Sequence, residues 1–252
     1  MGRQKQGSTS GLTARATAAA ALLAVTLTGC SGQAGGPLGA GPDGKGGGTT
    51  PAAPSSPGAA GAGRGGDGKL PGMPTVAEAR AQLARLTVAP RGSMTGYSRD
   101  KFPHWTEQGD SCNTREAVLE RDGTGVRRDA ECRAVSGTWI SAYDGKTLTK
   151  ASGVDIDHTV PLANAWRSGA NRWTQERRKA FANDLTHPQL LSVSAVSNRS
   201  KGDQGPDAWQ PPSRTAWCSY ARAWTSVKST YGLTATAAEK TALGRMLDTC
   251  AS

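Results

Sequence analysis

Residues 154–162 read Val154-Asp155-Ile156-Asp157-His158-Thr159-Val160-Pro161-Leu162, and this run decides how the chain is understood. Apolar and polar residues alternate from Val154 to Val160, with β-branched side chains among them, which predicts a strand. Pro161 cannot donate to a ladder and ends it. Neighbouring strand residues point to opposite faces, so Asp157 and His158 can serve one site only where the strand is ending and twisting. Further on, Leu190 to Val193 predicts a second short apolar strand. Asn198-Arg199-Ser200-Lys201-Gly202-Asp203 follows it. A loop rich in turn residues is expected from Ala195 to Pro211-Pro212, with Asn198 in that loop or on a helix.

Working outward, Thr138–Ala142 and Thr147–Lys150 flank Asp144-Gly145 and predict a hairpin. Pro74 to Leu86 places Val76, Ala79, Leu83 and Leu86 at helical spacing behind Thr75, a possible N-cap. Thr114 to Glu120 suits a short helix or strand. Leu162–Trp166 and Gln175–Asn183 predict helices with Gly169 between them, and Ser213–Tyr231 and Ala235–Cys250 predict two closing helices broken at Gly232. There is no internal repeat. The expected class is α+β with helices in the majority.

Composition divides the 252 residues unevenly. Residues 31–70 are dominated by Gly, Pro, Ala, Ser and Thr, whereas all seven Trp, four Tyr and two Phe come after residue 70. The first part cannot bury enough apolar surface to offset its ordering entropy. Residues 71–252 are long enough for one proper core. The formal charge is +10; six basic side chains against two acids through residue 70 leave +6 on the folded part. That excess suits a polyanion such as nucleic acid or an anionic envelope surface, and equally plain solubility.

The N-terminus carries Arg3, Lys5 and Arg15, then an apolar run from Ala16 to Leu27 ending Leu27-Thr28-Gly29-Cys30. These features describe a secretory signal over 1–29, and the run is short for a membrane span. The cysteine after small residues resembles a bacterial lipoprotein box. The resemblance implies cleavage before Cys30 and a lipid on its thiol, with 30–70 as a flexible tether from the outer face of the cell membrane. An ordinary signal peptide releasing a secreted protein, or a single membrane anchor, are the alternatives. Four cysteines remain, an even count that in an exported domain reads as two disulfides. Cys112–Cys132 and Cys218–Cys250 are the expected pairs, because each closes a local segment flanking the candidate site. A four-cysteine zinc site lacks any C-x-x-C spacing.

The stretch from Asp155 to Trp209 resembles the HNH (ββα-metal) nuclease domain of exported actinobacterial-type proteins and GmrSD-like restriction enzymes. The matching residues are Asp157-His158-x-Val160-Pro161-Leu162, Ala165-Trp166-x-Ser168-Gly169-Ala170, Phe181-Ala182-Asn183-Asp184 and Asn198-Arg199-Ser200-Lys201-Gly202-Asp203. The likeness extends upstream through Tyr97-Ser98-Arg99-Asp100 and His104-Trp105, and downstream to Trp224 and Tyr231-Gly232-Leu233. It implies an HNH core with additional helices over 71–252, with His158 as general base and Asp157 and Asn198 as ligands of Mg²⁺, or Mn²⁺. Hydrolysing a phosphodiester needs an activated water, which a neutral His can deprotonate near pH 7, and a cation on the phosphate and leaving oxygen. Asp and Asn oxygens suit a hard cation. Three histidines are too few for both a base and a three-His zinc set.

Related domains commonly place an Asn nine positions before the metal-binding Asn to orient the catalytic His. Here that position is Gln189, with Asn183 as the substitute. Arg199 and Lys201 are candidate phosphate contacts, against a solvated loop. Asp155, Arg99 and His104 are candidates to support the cleft, against plain structural roles. The dispersed tryptophans read mostly as core. No base-reading element is present, so the resemblance implies cleavage of DNA, double-stranded first and RNA as the alternative, with little sequence preference. A nucleic-acid or envelope-binding lipoprotein that does not cut is the rival, and Gln189 is the feature that favours it.

Overall fold

The computed structural model describes residues 70–251; the expected signal segment, most of the tether and Cys30 lie outside them. Thr75 begins the first helix, α1 (Val76–Arg85), through a capping box in which its hydroxyl accepts from Glu78 N–H and the Glu78 carboxylate accepts from Thr75 N–H. The buried face, Ala79 and Leu83, packs on two C-terminal helices. A short hairpin follows, β1 (Glu107–Gly109) and β2 (Cys112–Asn113). Asn113 then caps α2 (Thr114–Asp122), which settles the helix-or-strand alternative for that segment.

A three-stranded antiparallel sheet comes next: β3 (Thr124–Arg128), β4 (Ala134–Ile140) and β5 (Thr147–Leu148). The expected hairpin is its β4–β5 part, with Trp139 opposite Leu148. The sequence reading assigned no strand to Thr124–Arg128. Its Val126 is the one apolar side chain among five residues, and the strand is mostly exposed, so no burial signal marks it.

The two strands of the decisive run, β6 (Val154–His158) and β7 (Leu190–Ser194), pair antiparallel, with His158 opposite Leu190 and Asp157 opposite Leu191. The connection between them carries α3 (Leu162–Arg167) and α4 (Gln175–Ala182). This small sheet is buried on both faces. Leu191 and Val193 enter the main core, whereas Val154, Ile156 and Leu190 join Val118, Leu119 and Trp139 in a second cluster. Trp139 Nε1 donates to Leu119 O at 2.7 Å, so α2 seals that second cluster.

After β7 the chain forms α5 (Ala195–Lys201), not the expected loop. The sequence Ala-Val-Ser-Asn-Arg-Ser-Lys is a weak helix former, and the decisive support is local. Ser194 Oγ accepts from Ser197 N–H, and Gly202, at φ 53°, closes the helix in a conformation glycine adopts freely. Strand, strand and helix thus follow in the order the resemblance implied. The closing helices are α6 (Trp217–Tyr231), stopped by the left-handed Gly232, and α7 (Ala237–Leu247). Buried Lys228 joins them: its Nζ donates to Glu239 at 3.1 Å, Ser168 Oγ at 3.0 Å and Thr234 O at 2.7 Å. The disulfides are Cys112–Cys132 and Cys218–Cys250, as expected. No helix among the described residues is long and apolar enough to cross a membrane.

Asp144, in the β4–β5 turn, anchors the start of α5. Its Oδ2 accepts from Ser194 Oγ at 2.7 Å and Ser197 Oγ at 2.9 Å. Partial burial works to raise its carboxyl, but the hydroxyls of Ser141, Ser194 and Ser197 outweigh that and bring it down to about 2. A folded-state value below the unfolded one stabilises the protein at pH above about 4, and that contribution fades as pH falls toward 2. Asp144→Asn is therefore expected to lower stability at pH 7, with the gap to the parent narrowing between pH 4 and pH 2 in urea melts. Replacing Cys218 and Cys250 together by Ser is expected to cost about 2–5 kcal/mol in the same measurement.

Candidate active site at the end of β6

His158 ends β6 on the face of Val154 and Ile156. Its Nε2 lies 2.9 Å from the Ala182 carbonyl oxygen, which can only accept. The neutral imidazole therefore carries its proton on Nε2 and presents a lone pair at Nδ1. Burial drives His158 down to about 3; the Ala182 bond works against that, and the nearby Arg99 charge adds to the fall. His158 is thus neutral throughout the physiological range.

The segment before β1 covers this imidazole. Trp105 stacks on His158 with ring centroids 5.7 Å apart and planes at 28°, and His104 meets it edge-on at 6.4 Å. Trp105 has φ 59°, a left-handed backbone that costs an aromatic residue energy and that the surroundings must enforce. Asn183 supplies part of that enforcement. Its Oδ1 accepts from Thr106 N–H at 3.0 Å and from Thr114 Oγ1 at 2.8 Å, and its Nδ2 donates to Pro103 O at 2.8 Å. Asn183 does not touch His158, so its expected role is corrected: it holds the 103–106 segment while the neighbouring Ala182 carbonyl orients the ring.

Gln189 is corrected likewise. Its side chain is fully buried and spent on one backbone residue, Oε1 accepting from Val160 N–H at 3.1 Å and Nε2 donating to Val160 O at 3.0 Å. It fixes the turn after His158. It does not orient the imidazole, so its departure from the usual Asn bears little on His158.

On the opposite face of β6 stand Asp155 and Asp157, over which α5 packs. Asp157 is enclosed. Its Oδ2 is 2.5 Å from Tyr143 Oη and 2.7 Å from Lys201 Nζ, and its Oδ1 is 3.1 Å from the same ammonium. Lys201 Nζ also donates to the main-chain carbonyl of His158 at 2.9 Å. Lys201 has no exposed surface, so the expectation that it meets phosphate gives way to a buried counter-ion. A four-carbon side chain near the C-terminus of α5 reaches inward here, where the strand's main chain gives it a second acceptor. Burial raises the Asp157 carboxyl and lowers the Lys201 amine, and their pairing opposes both shifts.

Asn198 and Asp155 are only half-buried and meet each other, Asn198 Nδ2 donating to Asp155 Oδ2 at 3.0 Å. Arg199 is exposed beside them. The other Asp155 oxygen and the Asn198 amide oxygen have no hydrogen bond to a described residue. These oxygens fit a hard divalent cation that keeps most of its waters. Among the described residues, no three His, Cys, Asp or Glu converge as a protein cage.

Asp155 and Asn198 thus come together on one face, and His158, His104 and Arg99 on the other. Cys30 lies outside the described residues. Sequence reasoning missed Tyr143, the Ala182 carbonyl and the stacking role of Trp105. Tyr143 carried a usable signal, an aromatic side chain inside a polar hairpin turn. A carbonyl contact carries none.

The family model for the C-terminal domain of GmrSD restriction endonucleases matches residues 115–246. A protein of Arthroderma benhamiae, named an uncharacterized secreted protein, is 56% identical over 180 residues, covering 71% of this chain and 88% of its own length. No solved structure matches the chain.

Removing one member of a buried ion pair leaves the other uncompensated. Lys201→Met is expected to cost about 3–5 kcal/mol in urea melts. Adding Asp157→Asn is expected to recover part of that loss; a double variant as unstable as the sum of the two singles would show that the groups do not interact.

Proposed function

Since the chain belongs to the family of GmrSD restriction endonuclease C-terminal domains, we propose that it is an exported, metal-dependent endonuclease that hydrolyses DNA phosphodiesters with little sequence preference. The observation that carries this reading is His158. It is an imidazole kept neutral, with its tautomer set by a carbonyl and its lone pair on Nδ1, at the end of the strand that α5 overlays with Asn198. Such a group can take a proton from water. The Ala182 carbonyl then continues to accept from Nε2–H as charge develops on the ring, and the entering phosphate supplies negative charge where burial otherwise disfavours the imidazolium.

A divalent cation, Mg²⁺ first and Mn²⁺ second, supplies charge neutralisation at the phosphate and the leaving oxygen. Asn198 and Asp155 offer accessible oxygens for it. Asp157, the ligand expected from the resemblance, joins them only if one of its oxygens leaves Lys201 or Tyr143. Arg199 on the exposed side of α5 suits a phosphate. The +6 charge of the folded part and the lack of a base-reading module support binding through the backbone of double-stranded DNA. Export is supported by the basic and apolar N-terminus and by the secreted relative. A lipid on Cys30 would hold the enzyme on the outer face of the membrane.

The test uses the full-length protein with its disulfides oxidised, supercoiled plasmid, and Mg²⁺ or EDTA. Mg²⁺-dependent nicking is expected, abolished by EDTA and slowed at least about 100-fold in His158→Ala. A folded sample that cuts with neither Mg²⁺ nor Mn²⁺ would instead support a nucleic-acid-binding protein without turnover.

A further inference from the structure

Ser98 caps a single 3-10 turn, Arg99–Lys101, and the chain then passes through Phe102 to His104 and Trp105. Arg99 Nε donates to His104 Nε2 at 3.3 Å. His104 Nδ1 lies 2.9 Å from the Phe102 carbonyl and so carries the ring proton, which leaves Nε2 as the acceptor that Arg99 needs. The His104 ring packs edge-on against Trp105 at 5.2 Å and against His158 at 6.4 Å. The Arg99 side chain is therefore held by a chain of packed rings that ends on the proposed base, although Arg99 is itself exposed.

The charge there is uncompensated. Arg99 is exposed and, like Arg177, Arg178 and Arg199, has no ion pair with any described residue. The exposed Arg99 charge is free to meet an anion. A guanidinium with Nε committed still offers its two terminal NH₂ groups, a fork matched to phosphate oxygens. Residues 99–105 also precede the matched stretch 115–246, so this element is not part of the family match.

We infer that Arg99 binds a substrate phosphate next to His158 and that His104 positions it, an inference that rests on the nuclease reading. The full-length protein, Arg99→Ala, Arg99→Lys and His104→Phe would be compared on one fluorescent DNA duplex. Binding would be followed by anisotropy in EDTA, and Mg²⁺-dependent cleavage at several salt concentrations. Arg99→Ala is expected to lose about 10- to 100-fold in affinity and in kcat/KM. The slope of log affinity against log salt should become shallower by about 1. Arg99→Lys should keep the salt slope but recover only part of the affinity. His104→Phe should weaken binding at an unchanged slope, because the charge remains but is no longer held. Thermal melting should barely move in the Arg99 variants.

Parental affinity and salt slope in Arg99→Ala would overturn the inference while plasmid cleavage left the nuclease reading intact. Were the parent itself unable to cut with Mg²⁺ or Mn²⁺, the nuclease reading would fall and the EDTA binding would still decide Arg99. In that case weaker binding by Arg99→Ala would uphold the phosphate contact, whereas equal binding, or none by either protein, would sink it.

Discussion

The ammonium of Lys201 holds the site together. It leaves the end of α5, enters a space with no exposed surface, and meets both oxygens of Asp157 and the carbonyl of His158. Tyr143 completes the carboxylate from the β4–β5 turn. Three parts of the chain distant in sequence therefore converge on one carboxylate. Burying such a pair is costly unless each donor and acceptor is matched, and here they are. This match fixes how α5 lies on β6, and thereby where Asn198 can reach Asp155. The Trp224 ring lies about one ring-width from the same ammonium, at 6.0 Å from its centroid, so the closing helix α6 also rests on this arrangement.

The alternation of a strand then divides the chemistry. Asp155 and Asp157 face α5, and His158 faces the second cluster and the 103–106 segment. Asp155 is the second residue of β6 and His158 the last, so the half-exposed oxygens and the imidazole stand on opposite faces of one strand. On the His158 side the protein removes water and lends a carbonyl. On the Asp155 side it leaves oxygens half-exposed. The buried imidazole is consequently neutral, and the exposed oxygens remain open to a cation.

Asn183 and Gln189 show how amide side chains were redirected within this scheme. Asn183 bonds Pro103, Thr106 and the Thr114 hydroxyl, and Gln189 bonds the main chain of Val160; neither bonds the His158 ring. Their contribution is placement of the walls of the site. The orienting bond to the imidazole comes from the main chain at Ala182, whose position depends on Asn183 closing α4.

The sequence by itself determined the parts whose signals are local. Val154–His158 and Leu190–Ser194 alternate or run apolar in a length that fits strands, Thr75 ahead of Val76, Ala79, Leu83 and Leu86 announces α1, and an even cysteine count foretold both disulfides. The Asp157-His158 run and the Asn198 segment also marked the candidates for chemistry, because charged residues on a buried strand need a reason. What the tertiary structure alone decided was the partner of each. Lys201 reads in the sequence as a phosphate contact or a solvated cation, and only the packing of α5 on β6 turns it inward. Gln189 reads as the amide that orients the imidazole, with Asn183 as its substitute, until the strand register shows which backbone groups lie within reach. The strand Thr124–Arg128 and the helix Ala195–Lys201 were illegible for a related reason. Neither buries enough apolar surface to leave a periodic signal; Thr124–Arg128 is held by pairing with β4, and Ala195–Lys201 by its Ser194 cap, whose hydroxyl Asp144 holds.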